Sequence, residues 1–450
     1  MTLTPDEIGL IDALSAKLGS HQYKNFVLEQ YYEGKNKLKD LRISIPPQLT
    51  TVESVVGWAG TAVDVLEERL DLEGYIGGES LGLSEIFRAN ELDLESSLGH
   101  RDALVYGTGF VVVGTGSDGE ASPLITIESP KKMTAIHDVR TRRLSAALLV
   151  NSDDNGKPHN ASLYLPNETI YLTYTKSGWV DESRDVHNLG RVPVAAMPNN
   201  PRSGDPYGRS EITNAVRSYT DSAMRTLLGA EVAREFYSAP QRYILGADSD
   251  LFLDADGNAL NPWSVYQGRI LGVPTNEDGQ MPQVGQFQAN STQPYIEQIR
   301  AYAQLLAAET AIPAHYLGFQ TDNPASADAI RTMESRLVKR AERRQRQFGR
   351  TWLEVARLSI QVRDGLTASE LPAELDNVRA IWRDPATPTR AAAADEAVKL
   401  IQTGVLLADS EVTYNRIGLT ETDKAQLRSE KAVASGALAL QNLLAEPNGN

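Results

Sequence analysis

The chain has 450 residues, no cysteine and a formal net charge of −15 at pH 7. The length predicts roughly three domains, and the 41% share of hydrophobic residues is enough for substantial cores. Without cysteine, disulfide frameworks and thiolate metal sites are excluded. The acidic balance argues against strong general binding of nucleic acid, because such binding needs Lys and Arg to replace counterions.

Targeting signals and metal-binding patterns are the next features to consider. No apolar run approaches the roughly 18 residues of a membrane span, and residues 1–10 lack the basic and apolar regions of a signal peptide. The six histidines show no paired spacing such as HExxH. We therefore expect a protein that is neither exported nor in a membrane, and that holds no metal or other cofactor.

The N-terminal part of the chain is predicted to be helical. Residues 5–32 read as one or two helices, residues 52–70 as an amphipathic helix, and residues 83–104 as another helix. The third of these segments carries acidic residues on its outer side. A polar connector at residues 38–47 separates the first two.

From residue 105 the apolar period changes to two, which predicts strands. The pairs Asp118-Gly119 and Asn155-Gly156 suit hairpin turns. Residues 105–197 therefore read as an antiparallel β domain, with strands at 105–114, 123–127, 133–136, 145–150, 161–165, 169–174 and 192–195.

Two helices flank a strand-rich insert in the middle of the chain. The first is predicted at residues 210–238 with Ser210 as its N-cap. The second is predicted at residues 291–311 with Pro294 in its first turn. Between them, β-type runs are predicted at 242–245, 264–267 and 269–273.

A loop bounded by Pro313 and Pro324 precedes the longest helical pattern, at residues 326–365. About 40 residues at 1.5 Å each make this helix on the order of 60 Å long. A strand is predicted at 378–382, and residues 391–444 are largely helical with breaks at Gly404 and Gly418.

Three stretches could suggest chemistry, and each has a plainer interpretation. The glycines of residues 107–116 lack the lysine and hydroxyl of a P-loop. Residues 254–258 place their glycine too early for a calcium loop and read as a hairpin tip. An acid and base cluster of a hydrolase could be drawn from residues 181–187, but these are predicted to form a polar turn between strands; they include Asp181, Glu182, Asp185 and His187.

The most unusual charge feature is at residues 331–350, which hold eight cations against only Glu334 and Glu342. On a helix these cations spread over more than one face. Two interpretations are open: a solvated face with ion pairs to acidic neighbours, or direct contact with phosphates as in a DNA-binding module. The preceding loop places apolar and aromatic groups at residues 314–320, where they could be buried or directed at a ligand.

The order of these elements resembles the portal proteins of tailed bacteriophages, and local motifs match that family's pattern over about residues 50 to 430. One motif enters the β domain and one opens the helix that follows it: Leu104-Val105-Tyr106-Gly107-Thr108-Gly109-Phe110-Val111 and Pro206-Tyr207-Gly208-Arg209-Ser210-Glu211-Ile212. The others are Glu128-Ser129-Pro130 with His137-Asp138-Val139-Arg140, Glu309-Thr310-Ala311-Ile312-Pro313-Ala314-His315-Tyr316-Leu317-Gly318, and residues 404–419.

The resemblance implies an α+β, portal-type subunit with an antiparallel β wing domain, two stem helices around a strand-rich clip, one very long helix and a helical C-terminal crown. The implied division is an N-terminal helical region at 1–50, the wing at 51–205, stem helix 1 at 206–240, the clip at 241–287, stem helix 2 at 288–312, the tunnel loop at 313–326, the long helix with a return strand of the wing at 327–386, and the crown at 387–450.

The resemblance also implies a role. Such a protein forms a ring, usually of twelve subunits, at one capsid vertex of the virion, assembled in the host cytoplasm, and double-stranded DNA is packaged and ejected through its channel. The implied partners are the terminase large subunit, a head-tail adaptor, and the major capsid and scaffolding proteins, with no membrane and no enzymatic activity of its own.

Three groups of residues carry the expected contacts. The tunnel-loop residues expected to touch DNA are His315, Tyr316, Phe319, Gln320 and Asn323. The basic-helix residues expected to hold subunits together are Arg336, Lys339, Arg340, Arg343 and Arg344. The clip-tip residues expected to meet external partners are Asp254, Asp256, Gly257 and Asn258.

Overall fold

The computed structural model describes residues 2–38, 54–237, 242–246, 275, 279–286, 291–318, 327–386, 390–419 and 421–445. These residues form two compact units, Met1–Arg383 and Asp384–Asn450. The predicted strands at 264–267 and 269–273 lie outside the described residues.

The N-terminal helices are α1 (Pro5–Tyr32), α2 (Trp58–Glu67), α3 (Leu83–Ala89) and α4 (Leu92–Tyr106). The single helix predicted over 83–104 is wrong, because the chain breaks between α3 and α4, where Glu91 has a positive φ of 47°. Helix α4 then continues to Tyr106, so the first strand of the β domain begins three residues later than predicted.

The predicted β domain is confirmed, and it contains two antiparallel sheets. Strand β1 (Leu72–Ile76) lies before the domain. The domain itself consists of β2 (Thr108–Gly114), β3 (Leu124–Glu128), β4 (Met133–His137), β5 (Leu144–Ser152), β6 (Pro158–Tyr164), β7 (Thr169–Thr175), β8 (Gly178–Asp185) and β9 (Val194–Pro198). Their order is β3-β2-β9 in one sheet and β4-β5-β6-β7-β8 in the other.

Residues 178–185 are the clearest correction to the predicted strands. The polar turn expected at residues 181–187 is instead mostly strand β8, which pairs with β7 so that Leu172 faces Asp181. Strand β8 is the edge of its sheet, and Asp181 is its one buried residue. An edge strand can be polar because its outer edge has no partner strand and one face of the sheet is in water.

The central helices have the predicted arrangement. They are α5 (Asn214–Tyr237), α6 (Gln293–Thr310) and α7 (Ala327–Asp364), and the strands β10 (Arg242–Leu245) and β11 (Gln283–Gln286) pair between the first two. Helix α5 begins four residues after the predicted N-cap Ser210. Helix α7 has 38 residues and is therefore about 57 Å long. Strand β12 (Arg379–Trp382) then pairs with β1.

The main core forms around α7. Phe348, Trp352 and Val355 on this helix are fully buried and pack with residues of α2 and α4. A second core joins α1 to the five-stranded sheet through Ile11 and Leu14. Burying apolar side chains on both sides of α4 and along α7 ties the helices and the three-stranded sheet into one body.

The C-terminal unit consists of α8 (Arg390–Gln402), α9 (Glu411–Arg416) and α10 (Glu421–Ala445). The predicted breaks are confirmed, since Gly404 and Gly418 have φ values of 72° and 74° between these helices. In this unit Arg416 and Glu396 form an ion pair at 2.6 Å.

Candidate functional site

A buried carboxylate lies where α5, α6 and α7 approach one another. Glu211, just before α5, is 7% exposed. One of its oxygens accepts from Arg344 Nη2 at 2.7 Å, and the other accepts from Arg340 Nη2 at 2.5 Å. Asn199 Nδ2 donates to the same carboxylate at 3.1 Å. Burial raises the pKa of Glu211, but the Arg340 and Arg344 charges outweigh it, and the net shift is downward.

The backbone before Glu211 is held against the end of α4. Glu211 N donates to Leu104 O at 2.8 Å, and Asn199 N donates to Gly107 O at 2.8 Å. A Cβ at Gly208 would lie 2.3 Å from Gly107 O, and φ at Gly208 is 83°. Only glycine fits such an approach. The segment at 206–212 therefore positions the carboxylate that receives the two arginines.

The predicted tunnel loop begins with a short 3-10 turn, Ala314–Leu317. Tyr316 Oη donates to Glu334 Oε1 at 2.5 Å and accepts from Arg69 Nη2 at 3.2 Å. Burial and the bond to Glu334 raise the pKa of Tyr316. The His315 ring packs edge-on against Tyr316 at 4.5 Å. The bond to Glu334 fixes the start of the loop to α7. The other residues predicted to touch DNA, Phe319, Gln320 and Asn323, lie outside the described residues.

The five predicted basic-helix residues divide into two groups. Arg340 and Arg344 face inward to Glu211, and Arg336 Nη1 donates to Ala308 O in the last turn of α6 at 2.9 Å. Lys339 and Arg343 are exposed. No carboxylate in the described ranges of the chain lies within 4.0 Å of either.

These side chains line a basic cavity of about 520 Å³ between the start of α5, the end of α6 and the first half of α7. Its two acids are Glu211 and Glu309. Its cations are Arg202, Arg209, Arg336, Lys339, Arg340, Arg343 and Arg344. Glu211 is already paired, so the cavity presents a positive potential to whatever approaches it.

Sequence reasoning did not identify Glu211 or Asn199 as partners of the basic helix. One signal was present: Arg336, Arg340 and Arg344 recur at steps of four, which puts them on one helix face. That spacing indicates that the three side chains point to the same side of the helix. It does not identify a carboxylate 133 positions earlier in the chain.

The acid and base cluster considered for a hydrolase is a structural ion-pair network. Arg184 donates to Asp181 at 2.7 Å and to Glu7 of α1 at 2.7 and 3.0 Å. His187 Nδ1 accepts from the backbone N of Leu189 at 3.3 Å. The network fastens α1 to the five-stranded sheet, and Asp181 is held by an arginine rather than by the histidine.

Across the described residues, no group of three or more His, Asp or Glu side chains is placed to hold a metal ion. No helix in the same residues is long and apolar enough to cross a membrane. The predicted clip-tip residues Asp254, Asp256, Gly257 and Asn258 lie outside the described residues.

Comparison with known proteins gives concordant matches. A family model described as "Phage portal protein, SPP1 Gp6-like" matches residues 21–432. The portal protein of Mycobacterium phage D29 is 34% identical over 422 residues, covering 90% of this chain and 85% of that protein. The portal protein of Mycobacterium phage L5 is 33% identical with the same coverage.

Among solved structures, similarity extends to gene transfer agent (GTA) particles. The neck of a native GTA particle, computed with C12 symmetry, has a TM-score of 0.47 at 14% identity and covers 81% of this chain and 91% of that chain. The virion of a native GTA particle has a TM-score of 0.38 at 13% identity and covers 90% of this chain and 93% of that chain.

Proposed function

The chain belongs to the SPP1 Gp6-like family of phage portal proteins, and we propose that it forms the ring-shaped channel at one capsid vertex through which double-stranded DNA enters and leaves the head. The observation that carries this proposal is the family match over residues 21–432. The order of a β domain, two helices around a strand pair, a short turn and a 38-residue helix supports it.

The channel function needs a ring of identical subunits with defined partners. We propose a ring of twelve, as the family resemblance implies, located in the virion and assembled in the host cytoplasm. The terminase large subunit and a head-tail adaptor would dock on residues 241–287, with Asp254, Asp256, Gly257 and Asn258 at the tip. The major capsid and scaffolding proteins would surround the ring.

DNA must move through the channel without being held. A net charge of −15 suits such movement, because an acidic wall releases few counterions when DNA passes. The narrowest part would be the loop at 313–326, where His315, Tyr316, Phe319, Gln320 and Asn323 make weak contacts that do not depend on DNA sequence. The bonds of Tyr316 to Arg69 and Glu334 would hold one end of that loop on α7.

The subunit is proposed to do no chemistry of its own. The family is structural, and Asp181 and Glu7 are occupied by Arg184. Movement of DNA would therefore be powered by a separate ATPase.

The direct test is the size and shape of the purified protein. Size-exclusion chromatography with light scattering should give a species near twelve times 49.2 kDa, and negative-stain images should show a ring with a central channel. A chain that remains monomeric across the accessible concentration range would contradict the proposal.

A further inference from the structure

The outer face of α4 carries an exposed apolar pair between acids. Leu94 is 67% exposed and Leu98 is 47% exposed, and they lie one turn apart on the same face. Asp93 and Glu95 stand on either side of Leu94 in the sequence and are also exposed. In the described part of the chain, no Lys or Arg nitrogen lies within 4.0 Å of either carboxylate. We call these four residues the acidic ridge.

A hollow of about 480 Å³ lies on the outer side of α7, beside β12. Its apolar lining consists of Gly349, Leu353, Ala380 and Trp382, and the buried polar residue Gln345 lies among them. A Cβ at Gly349 would lie 3.3 Å from Trp382 Nε1, so the absence of a side chain at this position leaves room for the cavity beside Trp382. We call this cavity the arginine-rimmed hollow.

Three arginines and one acid line its rim: Arg346, Arg350, Arg379 and Glu342. Arg346 Nε donates to Glu342 O at 3.3 Å, and Arg379 Nη1 donates to the carbonyl oxygens of Asp376 and Val378. None of the three guanidinium groups has a carboxylate within 4.0 Å among the residues that the structure describes. Arg346 and Arg350 also line a second basic cavity on this side of α7.

One subunit cannot bring its own ridge to its own hollow. His100, on the inner face of α4, stacks on Phe348 of α7 with ring centroids 5.3 Å apart. The same ring lies 5.3 Å from that of Trp382, and Trp382 also lines the hollow. Leu94 and Leu98 lie six and two residues before His100, which turns them away from its face of α4, so the core lies between these leucines and the hollow.

We propose that the acidic ridge of one copy docks into the arginine-rimmed hollow of the next copy. Leu94 and Leu98 would cover the apolar lining, while Asp93 and Glu95 would meet Arg346 and Arg350. The contact joins two different surfaces, and a repeated contact of that kind closes into a ring when the rotation allows. The inference rests on the proposed ring and assigns two of the surfaces that form it.

Charge complementarity identifies the occupant. DNA phosphates would satisfy the arginines, but they have no apolar group to cover Leu353 and Trp382, and they leave Leu94 and Leu98 in water. A second copy supplies both the carboxylates and the leucines. Complementary charges fix register and partner, and apolar burial at the centre stabilises the contact.

A charge exchange tests the contact in trans. The ridge variant carries Asp93→Arg with Glu95→Arg, and the hollow variant carries Arg346→Glu with Arg350→Glu. Each alone places like charges together and should elute as a monomer. Their equimolar mixture places opposite charges at every contact of an alternating ring, and it should recover at least half of the wild-type amount of ring.

Matched controls are Asp12→Arg and Lys176→Glu, which change exposed charges on α1 and near β8; each should assemble as the wild type does. The proposal is overturned if both double variants form rings alone, or if the mixture stays monomeric. If hollow-variant rings form but lose salt-dependent retention of DNA, the hollow contacts DNA instead.

A second measurement separates this contact from the ring itself. Because the chain has no cysteine, Leu98→Cys with Leu353→Cys introduces the only thiols. Oxidation should give a ladder of multimers on a non-reducing gel, and either single substitution, or Asp12→Cys with Leu353→Cys, should give none. Rings without a ladder refute the contact and leave the channel function standing. A protein that stays monomeric and gives no ladder refutes both the contact and the proposed channel. A ladder without rings refutes only the proposed ring.

Discussion

The carboxylate of Glu211 and the guanidinium of Arg344 meet at 2.7 Å, although the two residues are 133 positions apart in the chain. Their side chains are 7% and 5% exposed. This pair joins the segment before α5 to the middle of α7, and it therefore holds α7 against the start of α5.

Glu211→Gln should destabilise the isolated subunit strongly. The substitution leaves Arg344 buried without a counter-charge, and breaking a buried pair by removing one partner costs about 3 kcal/mol or more. The free energy of unfolding from urea denaturation measures the loss. Glu309→Gln changes an exposed acid of the same cavity and should cost no more than about 0.5 kcal/mol. Equal losses for the two variants would contradict the assigned role of Glu211.

Lys339→Glu with Arg343→Glu should leave the stability of the subunit unchanged while testing whether these residues take part in assembly. Both side chains are exposed, so the free energy of unfolding of the subunit should change by no more than about 0.5 kcal/mol, while ring formation is weakened if they contact a neighbour. Arg344→Glu should instead unfold the subunit, because it puts a second carboxylate beside Glu211. Light scattering and urea denaturation of each variant give the comparison. Normal rings from the first variant would remove Lys339 and Arg343 from the subunit interface.

Deleting residues 319–323 should spare rings but impair the packaging or retention of DNA. The anchor of the loop, Tyr316 on Glu334, precedes the deletion and stays in place. Ring formation is measured by negative-stain imaging and packaging by nuclease-protected DNA in assembled heads. Tyr316→Phe is the companion variant. It keeps the aromatic side chain and removes only the hydroxyl that makes the hydrogen bonds. Dissociated rings after the deletion would mean that the loop holds subunits together.

The attachment of α1 should weaken in acid. The hydrogen bond from Arg184 lowers the pKa of Glu7 from 4.5 to about 2. The folded state therefore holds this carboxylate ionised after the unfolded chain has protonated, so the stabilisation is complete above about pH 4.5 and is lost as the pH falls toward 2. Solvent screening limits it to about 1 kcal/mol.

Urea denaturation across this pH range checks the effect. Glu7→Gln should remove this part of the acid dependence, whereas Asp6→Asn, in the same turn of α1, should leave it. An identical pH profile for Glu7→Gln and the wild type would refute the role of the Glu7 and Arg184 pair.

A second acid-sensitive group lies in the main core. Trp352 Nε1 donates to His100 Nε2 at 2.9 Å, and burial lowers the pKa of His100 to about 3. The unfolded chain takes up this proton near pH 6.5 and the folded chain does so only near 3, so stability should fall as the pH decreases through that interval.

His100→Phe should flatten this part of the pH profile and cost about 1 to 3 kcal/mol at neutral pH, because the Trp352 N–H loses its acceptor. Trp352→Phe should also destabilise the protein but keep the slope with pH, since His100 remains buried. Urea midpoints measured across the interval distinguish the two, and a slope that survives His100→Phe would assign it to another group.

Local periodicity was enough to determine much of the secondary structure. The long helix was predicted at 326–365 and runs over Ala327–Asp364, because apolar residues at steps of three and four persist over its whole length. Strand β10 was located equally well, and residues 5–32, predicted as one or two helices, form the single helix α1. The ordered motifs along the chain also indicated the family, and one of them contains Gly208, whose positive φ and close approach to Gly107 O only glycine allows.

Elements stabilised by distant partners were not predictable in this way. Strand β8 carries polar residues because it lies at a sheet edge, and β1 is recognisable only through its pairing with β12. At Glu91 the chain takes a positive φ between α3 and α4, which the apolar period of residues 83–104 does not reveal. In each case the sequence pattern is satisfied by more than one local structure, and contacts with other parts of the chain select among them.

The partners of charged residues were decided by the tertiary structure alone. The sequence shows eight cations between residues 331 and 350, and the spacing of Arg340 and Arg344 indicates a common face. Only the fold brings Glu211 to that face and leaves Lys339 and Arg343 exposed. Coulombic interaction depends on distance and burial in space, and sequence separation specifies neither.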